Sequence, residues 1–285
     1  MNRKSTRPPQ YEETATWRLI ISPPQDGATN MALDEAIADA VIAGEAPPTL
    51  RFYSWDPPCL SLGYAQEWDE VVDEELCEKL GWDVVRRATG GRAILHTDEL
   101  TYSVAAPKSE PRVAGGVLES YQRLSFALLH GLKLMGLEPA RAQPYYEDQG
   151  EQGPACYDGP SNYEITIGQR KLLGSAQKRL KQGGVLQHGT LPLTGDITRI
   201  AQGLYFDMPG QRMALQVRLR YRATTLAFSL GRELTFAQAA DYMSQGFAQS
   251  LNLNLDATTP TPAELDRAAT LRAEKYAHPD WNQKR

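Results

Sequence analysis

The chain has 285 residues, 41% hydrophobic and 23% charged, an ordinary globular composition with enough apolar surface for a sizeable core. A net charge of -5 excludes a global electrostatic case for binding nucleic acid or a membrane surface. Its three cysteines, Cys59, Cys77 and Cys156, are widely spaced and include no CxxC pair, which argues against a disulfide framework or zinc cage and for a reducing compartment.

Residues 1–15 are polar and contain proline, with no apolar run suited to a secretory segment, so a disordered tail on a cytoplasmic protein is expected. No window approaches the ~18 consecutive apolar residues of a membrane span. TWRLIIS (16–22) suits a strand. Residues 28–48 predict a helix capped by Thr29 or Asn30, with Leu33, Ile37 and Val41 on one face and Gly44 and Pro47 stopping it. TLRFYSW and CLSLGY predict a strand pair around the Asp56-Pro57-Pro58 turn, followed by a helix over 68–80. WDVVRRATGGRAILH (82–96) reads as strand, glycine turn, strand, and ELTYSVAAP (99–107) as a further strand.

A helix over 115–136 carries Leu118, Tyr121, Leu124, Leu128 and Leu132 at helical spacing. Residues 138–161 then form a Pro-, Gly- and acid-rich loop without periodicity, of a length that is commonly functional. Three strands are predicted within 162–193. Near the end, LTFAQAADYMSQGFAQSLNL and TPAELDRAATLRAEKY read as two amphipathic helices split by a Thr/Pro linker at 258–262. The pattern is α+β: a mixed sheet flanked by helices over 16–230, with a small helical appendage over 231–285.

Cysteine is usually a small buried hydrophobe. Cys59, in a strand-like run, and Cys77, three residues from Leu80 on a helix, are assigned to the core on that basis. Cys156 differs, because Pro154, Asp158, Gly159 and Pro160 surround it in a loop that offers no apolar spacing; it is a candidate nucleophile. The turn RRATGGRAILH (86–96) is either a plain hairpin turn or a loop whose N–H groups hold an anion or carbonyl oxygen beside Arg86, Arg87, Arg92 and His96. In 168–190, Arg170, Lys171, Lys178, Arg179 and Lys181 make either a solvated strand edge or a basic rim. Small residues Gly174, Ser175 and Ala176 leave room beside the sheet, and His188 is as well suited to a structural hydrogen bond as to a functional one.

In this order, RRATGGRAILHTDELTYSV, ACYDGPSNYEITIGQRKLLGSAQKR and LQHGTLPL closely resemble the lipoate/octanoate-protein transferase superfamily, which shares its catalytic fold with biotin protein ligases. The ending EKYAHPDWNQKR resembles one branch, the cysteine-dependent octanoyltransferases. The resemblance covers about residues 16–285 and is most specific in Cys-x-x-x-Pro-Ser-x-Tyr-Glu followed by Lys171 and GSAQ. It implies that Cys156 carries an acyl thioester and that Lys171 faces the acyl carbonyl. It further implies that Arg87, Gly90, Gly91 and His96 wrap the acyl chain and its head, with Gly174, Ser175, Ala176 and His188 beside them. Two departures stand out: the glycine loop reads GGR where many ligases have three glycines, and an acidic EDQGE insertion precedes Cys156.

The residue types suit acyl transfer. Only a thiolate attacks, and a nearby ammonium favours that form. The resemblance implies octanoyl transfer from acyl carrier protein through Cys156 to a lysine of the glycine cleavage H protein or of lipoyl domains, with no cofactor and no metal; a monomer is expected because no apolar helix is left over for an interface. Acidic partners would meet the basic residues of 170–181. Leu60, Leu62, Ile94 and Leu173 are the expected lining of the acyl slot. Two alternatives share these motifs: an amidotransferase taking octanoate from the H protein to lipoyl domains, and an ATP-dependent lipoate-protein ligase.

Overall fold

The computed structural model describes residues 10–141, 153–158, 164–181 and 183–284. The chain begins with β1 (Ala15–Ile21), α1 (Gly27–Ala43), β2 (Thr49–Tyr53) and β3 (Cys59–Leu62), then two short helices, α2 (Trp68–Val71) and α3 (Glu74–Lys79). Next come β4 (Asp83–Arg86), β5 (Ile94–His96), β6 (Glu99–Pro107), α4 (Val117–Leu134) and β7 (Pro139–Arg141). A 3-10 turn at Cys156–Asp158 precedes β8 (Ile165–Ile167), β9 (Arg170–Leu180) and β10 (Gly184–Pro192). The remainder is α5 (Pro209–Arg222), α6 (Leu226–Leu230), α7 (Phe236–Leu251), β11 (Leu253–Thr258), α8 (Pro262–Leu271) and α9 (Pro279–Asn282).

Eight strands form one sheet in the order β11-β1-β2-β6-β10-β9-β8-β7, and β4-β3-β5 form a second. Pairing is parallel across β11, β1 and β2 and antiparallel from β2 onward, so the large sheet is mixed. Strand alternation sorts β6 between two cores. Leu100, Tyr102, Val104 and Ala106 join the core beneath α4 and α7, while Ala105 joins the core beneath α1 and Ser103 Oγ donates to Asp34 of that helix. A third core surrounds the small sheet, with α5 residues Leu215 and Leu219 packed into it.

Several expectations require correction. Asp26 caps α1 by accepting from the Thr29 N–H at 2.8 Å, so Thr29 and Asn30 already lie in the first turn. The predicted β2–β3 pair does not form, because the two strands belong to different sheets. Nor do β4 and β5 make a hairpin, since β3 inserts between them. The helix expected over 68–80 breaks at Val72 and Asp73, where Asp73 caps the second piece. The loop expected over 138–161 begins with a short strand, β7, paired to β8.

Residues 231–285 run along the large sheet. α7 packs on α4 at one face, β11 adds a parallel edge strand to β1, and α8 crosses to α1 on the other face. Arg18 on β1 and Glu264 on α8 make a buried ion pair at that crossing. Among the described residues, no helix is long and apolar enough to cross a membrane.

Candidate active site

The cysteine turn is pinned to the glycine loop. Cys156 N donates to Ala93 O at 2.9 Å and Ala93 N to Pro154 O at 3.0 Å, while Arg92 reaches Gly153 O at 3.2 Å. Ala155 and Tyr157 are buried on either side, and Cys156 between them is half-buried. The loop thus borrows core from its neighbours, which its own composition does not advertise.

Opposite it, β9 delivers Lys171. Its Nζ donates to Cys156 Sγ at 3.2 Å and to Cys156 O at 2.9 Å, and also to Glu164 Oε1. The ammonium lies 4.6 Å from the centre of the Tyr157 ring. Burial works against the charge, but the sulfur and the Glu164 carboxylate outweigh it and hold the Lys171 pKa above its ordinary value. Gly174 makes this arrangement possible, because a Cβ there would lie 2.9 Å from Lys171 Cε and 3.1 Å from Nζ. Gly91 has φ +95°, and its carbonyl approaches so closely that a Cβ on Gly63 would stand 1.8 Å from the oxygen.

Beside the pair opens a cavity of about 580 Å³ including its mouth, with apolar walls from Met31, Tyr53, Trp55 and Ile94. Arg87, Gly91, His96, Gly174, Ser175, Ala176 and His188 line it together with Cys156 and Glu164. Gly90 does not; it is exposed, and its carbonyl accepts from Arg87 Nη2 at 3.0 Å. Of the expected apolar lining only Ile94 is present. Strand alternation turns Leu60 and Leu62 into the core around the small sheet, and Leu173, beside a register shift between β8 and β9, joins Leu172 in the core beneath α4.

A polar network lies against the cavity. Arg87 Nη1 donates to Ser61 Oγ at 2.8 Å, Ser61 Oγ meets His96 Nε2 at 2.7 Å, and His96 Nδ1 meets Glu99 Oε1 at 3.1 Å. Thr101 Oγ1 also donates to Glu99 Oε1, and Trp55 stacks on His96 with ring centres 4.0 Å apart. Burial, aided by the Arg87 charge, pushes the His96 imidazole well below its usual range. Burial also lifts Glu99 to about 8, against the hydrogen bond from Thr101. It lowers Arg87 to about 10, which Cys156 opposes. Among the described residues neither Arg87 Nε nor Glu99 Oε2 has a hydrogen-bond partner.

His188 meets Thr89 Oγ1 at 2.6 Å, and its other ring nitrogen is 3.7 Å from Asp34. Burial keeps its pKa low although Asp34 favours the charge. Asp34 in turn accepts from Arg51 at 2.7 Å, Tyr53 at 2.8 Å and Ser103 at 2.8 Å. Sequence reasoning missed this cluster, and its one available signal was an acid on the apolar side of α1.

The basic residues of β9 do not form one rim. Lys171 is buried, Arg179 binds the carbonyls of Val113, Gly115 and Gly116, and Arg170 lies over Phe228. Arg86, in the glycine-turn motif, is fully buried. Its guanidinium donates to the carbonyls of Gly63, Tyr64, Gln66, Trp281, Asn282 and Lys284, which locks the C-terminal segment against the glycine loop. Pro160, Ser161 and Tyr163 of the cysteine motif and the EDQGE insertion lie outside the described residues. Among the described residues, no group of three or more His, Cys, Asp or Glu is placed to hold a metal ion.

Comparison with known proteins agrees with this architecture. Octanoyltransferase LipM of Symbiobacterium thermophilum is 41% identical over 279 residues, spanning 94% of this chain and 98% of that one. The LipM octanoyltransferase of Brevibacillus brevis is 37% identical over 274 residues, spanning 94% and 99%. A bipartite lipoate protein ligase from Thermoplasma acidophilum superposes with a TM-score of 0.80 at 22% identity, covering 94% of this chain and 96% of that one. Lipoate-protein ligase A bound with ATP superposes at 0.76 and 23% identity, covering 95% and 99%. At such identities these two structures speak for the fold alone. The model of the lipoyl protein ligase A/B catalytic domain matches residues 26–248, and the chain belongs to that family.

Proposed function

We propose that the chain is an octanoyltransferase of protein lipoylation. It takes an octanoyl group from acyl carrier protein, holds it as a thioester on Cys156, and passes it to a lysine of the glycine cleavage H protein or of a lipoyl domain. The observation that carries this reading is the Cys156–Lys171 pair at 3.2 Å beside a largely apolar cavity. The octanoyltransferase names of the relatives support the acyl group and its transfer. Three free cysteines suit a cytoplasmic setting, and we take the protein to act as a monomer.

In the first step the Cys156 thiolate attacks the donor carbonyl. A new C–S bond forms as the old one breaks, and the carrier's thiolate departs to be protonated by solvent. The acyl chain lies against Met31, Tyr53, Trp55 and Ile94. Lys171, kept cationic by Cys156 and Glu164, is a fixed charge facing the oxyanion and does not take the proton. In the second step a neutral lysine amine attacks the enzyme thioester, sheds a proton to solvent, and expels the sulfur as thiolate back beside Lys171. Exchange between thioesters is nearly isoenergetic and amide formation is downhill, so no ATP is consumed.

The test compares octanoyl carrier protein, octanoyl H protein, and octanoate with ATP and magnesium, each with apo H protein and an apo lipoyl domain. Transfer from the carrier protein without ATP is expected. Transfer only from the H protein would make the chain an amidotransferase, and ATP dependence with acyl-adenylate would make it a ligase.

A further inference from the structure

Exposed apolar side chains gather in one short stretch. Tyr205, Met208, Met213, Val217, Tyr221 and Phe228 are between 45% and 73% exposed. On α5, Met213, Val217 and Tyr221 are spaced four apart and form a single stripe on the face away from buried Leu215 and Leu219. Such a patch on a soluble protein marks a contact surface. The helix also carries Arg212, Arg218, Arg220 and Arg222 and no acid, in a chain whose net charge is -5. Arg212 is engaged with Asp73, whereas Arg220 is exposed next to Tyr221.

This helix leads to the reacting pair. Thr224 N, just past its end, donates to Lys171 O at 2.9 Å, and α5 packs on the turn that carries Cys156. A groove with Arg218 on one wall and Glu67, Glu70 and Asp207 elsewhere reaches Arg92, which also lines the acyl cavity.

We propose that the exposed face of α5 docks the acyl-donor protein, a partner presenting acidic side chains around an apolar one, whose thioester arm follows the groove past Arg92 to Cys156. The inference rests on the octanoyl-transfer reading. The arginine-bearing helix attracts an acidic surface, and of the acidic partners it is the donor whose arm carries a phosphate for Arg218 and Arg92 to meet along the groove.

The test is the double variant Val217→Glu/Arg220→Glu, with loading of Cys156 followed by intact mass. The donor is either octanoyl carrier protein below saturation or the small thioester octanoyl-pantetheine. Loading from the carrier protein should fall about tenfold or more, while loading from the small thioester stays within about twofold of the parent. Unchanged loading from the carrier protein overturns the proposal. So does an equal loss with both donors, or a loss confined to transfer onto the acceptor protein. If the parent enzyme is loaded by neither donor, the octanoyl-transfer reading itself fails; if only by the small thioester, the carrier-protein donor and this docking face fall together.

Discussion

Lys171 Nζ lies 3.2 Å from Cys156 Sγ across a separation of 15 residues, and the same ammonium binds Glu164. Replacing Lys171 with alanine removes the cation facing the sulfur. Alkylation of Cys156 by iodoacetamide at neutral pH should then slow by about tenfold, the equivalent of ~1.4 kcal/mol. An unchanged rate, measured by peptide mass spectrometry, would take Lys171 out of the activation argument.

The same substitution leaves Glu164 buried without its cation, at a cost of about 3–5 kcal/mol in folding stability. The double variant Lys171→Ala/Glu164→Gln should recover a large part of that loss without recovering the alkylation rate. Urea unfolding reads the first quantity and alkylation the second. If the double variant is no more stable than the single one, the Glu164 charge is not what the lysine offsets.

Gly174 offers a subtler perturbation. A methyl there would press on Lys171 Cε at 2.9 Å and come to 3.7 Å from Cys156 Sγ. Gly174→Ala should therefore shift the ammonium and cut octanoyl loading by about tenfold while leaving far-UV circular dichroism unchanged. Full activity would mean that the pair tolerates displacement.

Glu99 gives a pH signature. Burial raises it from 4.5 to about 8, so between those values the folded state binds a proton that the unfolded state has released. Its contribution to stability is fully present below 4.5 and is lost as pH rises through about 8. Glu99→Gln removes this loss. The melting temperature of the variant minus that of the parent should increase from about pH 5.5 to about pH 8.5. A difference that is flat or falls over this range would show that Glu99 is ionised throughout.

Arg86 ties the C-terminus to the glycine loop. Deleting 281–285 strips the carbonyls of Trp281, Asn282 and Lys284 from a buried guanidinium. Hydrogen bonds to a charged group contribute about 1.5–3 kcal/mol each, so with three acceptor carbonyls gone about 4–5 kcal/mol or more of stability should be lost, seen as a lower urea midpoint. An unshifted midpoint would show that solvent replaces those acceptors without loss.

Much of the fold was legible in local pattern. The β6 strand and the cores beneath α1 and α4 follow from alternation and helical spacing in segments that lie against one sheet. Pairing was not legible where neighbours in sequence part company. β2 and β3 look like a hairpin, yet each finds a better partner elsewhere, and β3 enters between β4 and β5. β11 was hidden because LNLDAT lacks an apolar run and gains its partner, β1, only from the far end of the chain.

At the site, Cys156 and Lys171 drew attention because each is out of place in its segment: a cysteine in a loop without apolar spacing, and a lysine heading an apolar pair. The cavity walls were misread because leucines seemed the natural lining. Met31, Tyr53 and Trp55 come from α1, β2 and the segment after it, which only the folded sheet brings beside β9. The Asp34–Arg51–Tyr53 cluster likewise unites α1 with β2 and has no local signature.

The most direct test is to incubate the protein with octanoyl carrier protein and map the adduct by peptide mass spectrometry. One octanoyl group on Cys156, released by hydroxylamine and passed to apo H protein on chase, is the predicted result. An adduct on another residue, or one that persists as a thioester in Cys156→Ser, would contradict it.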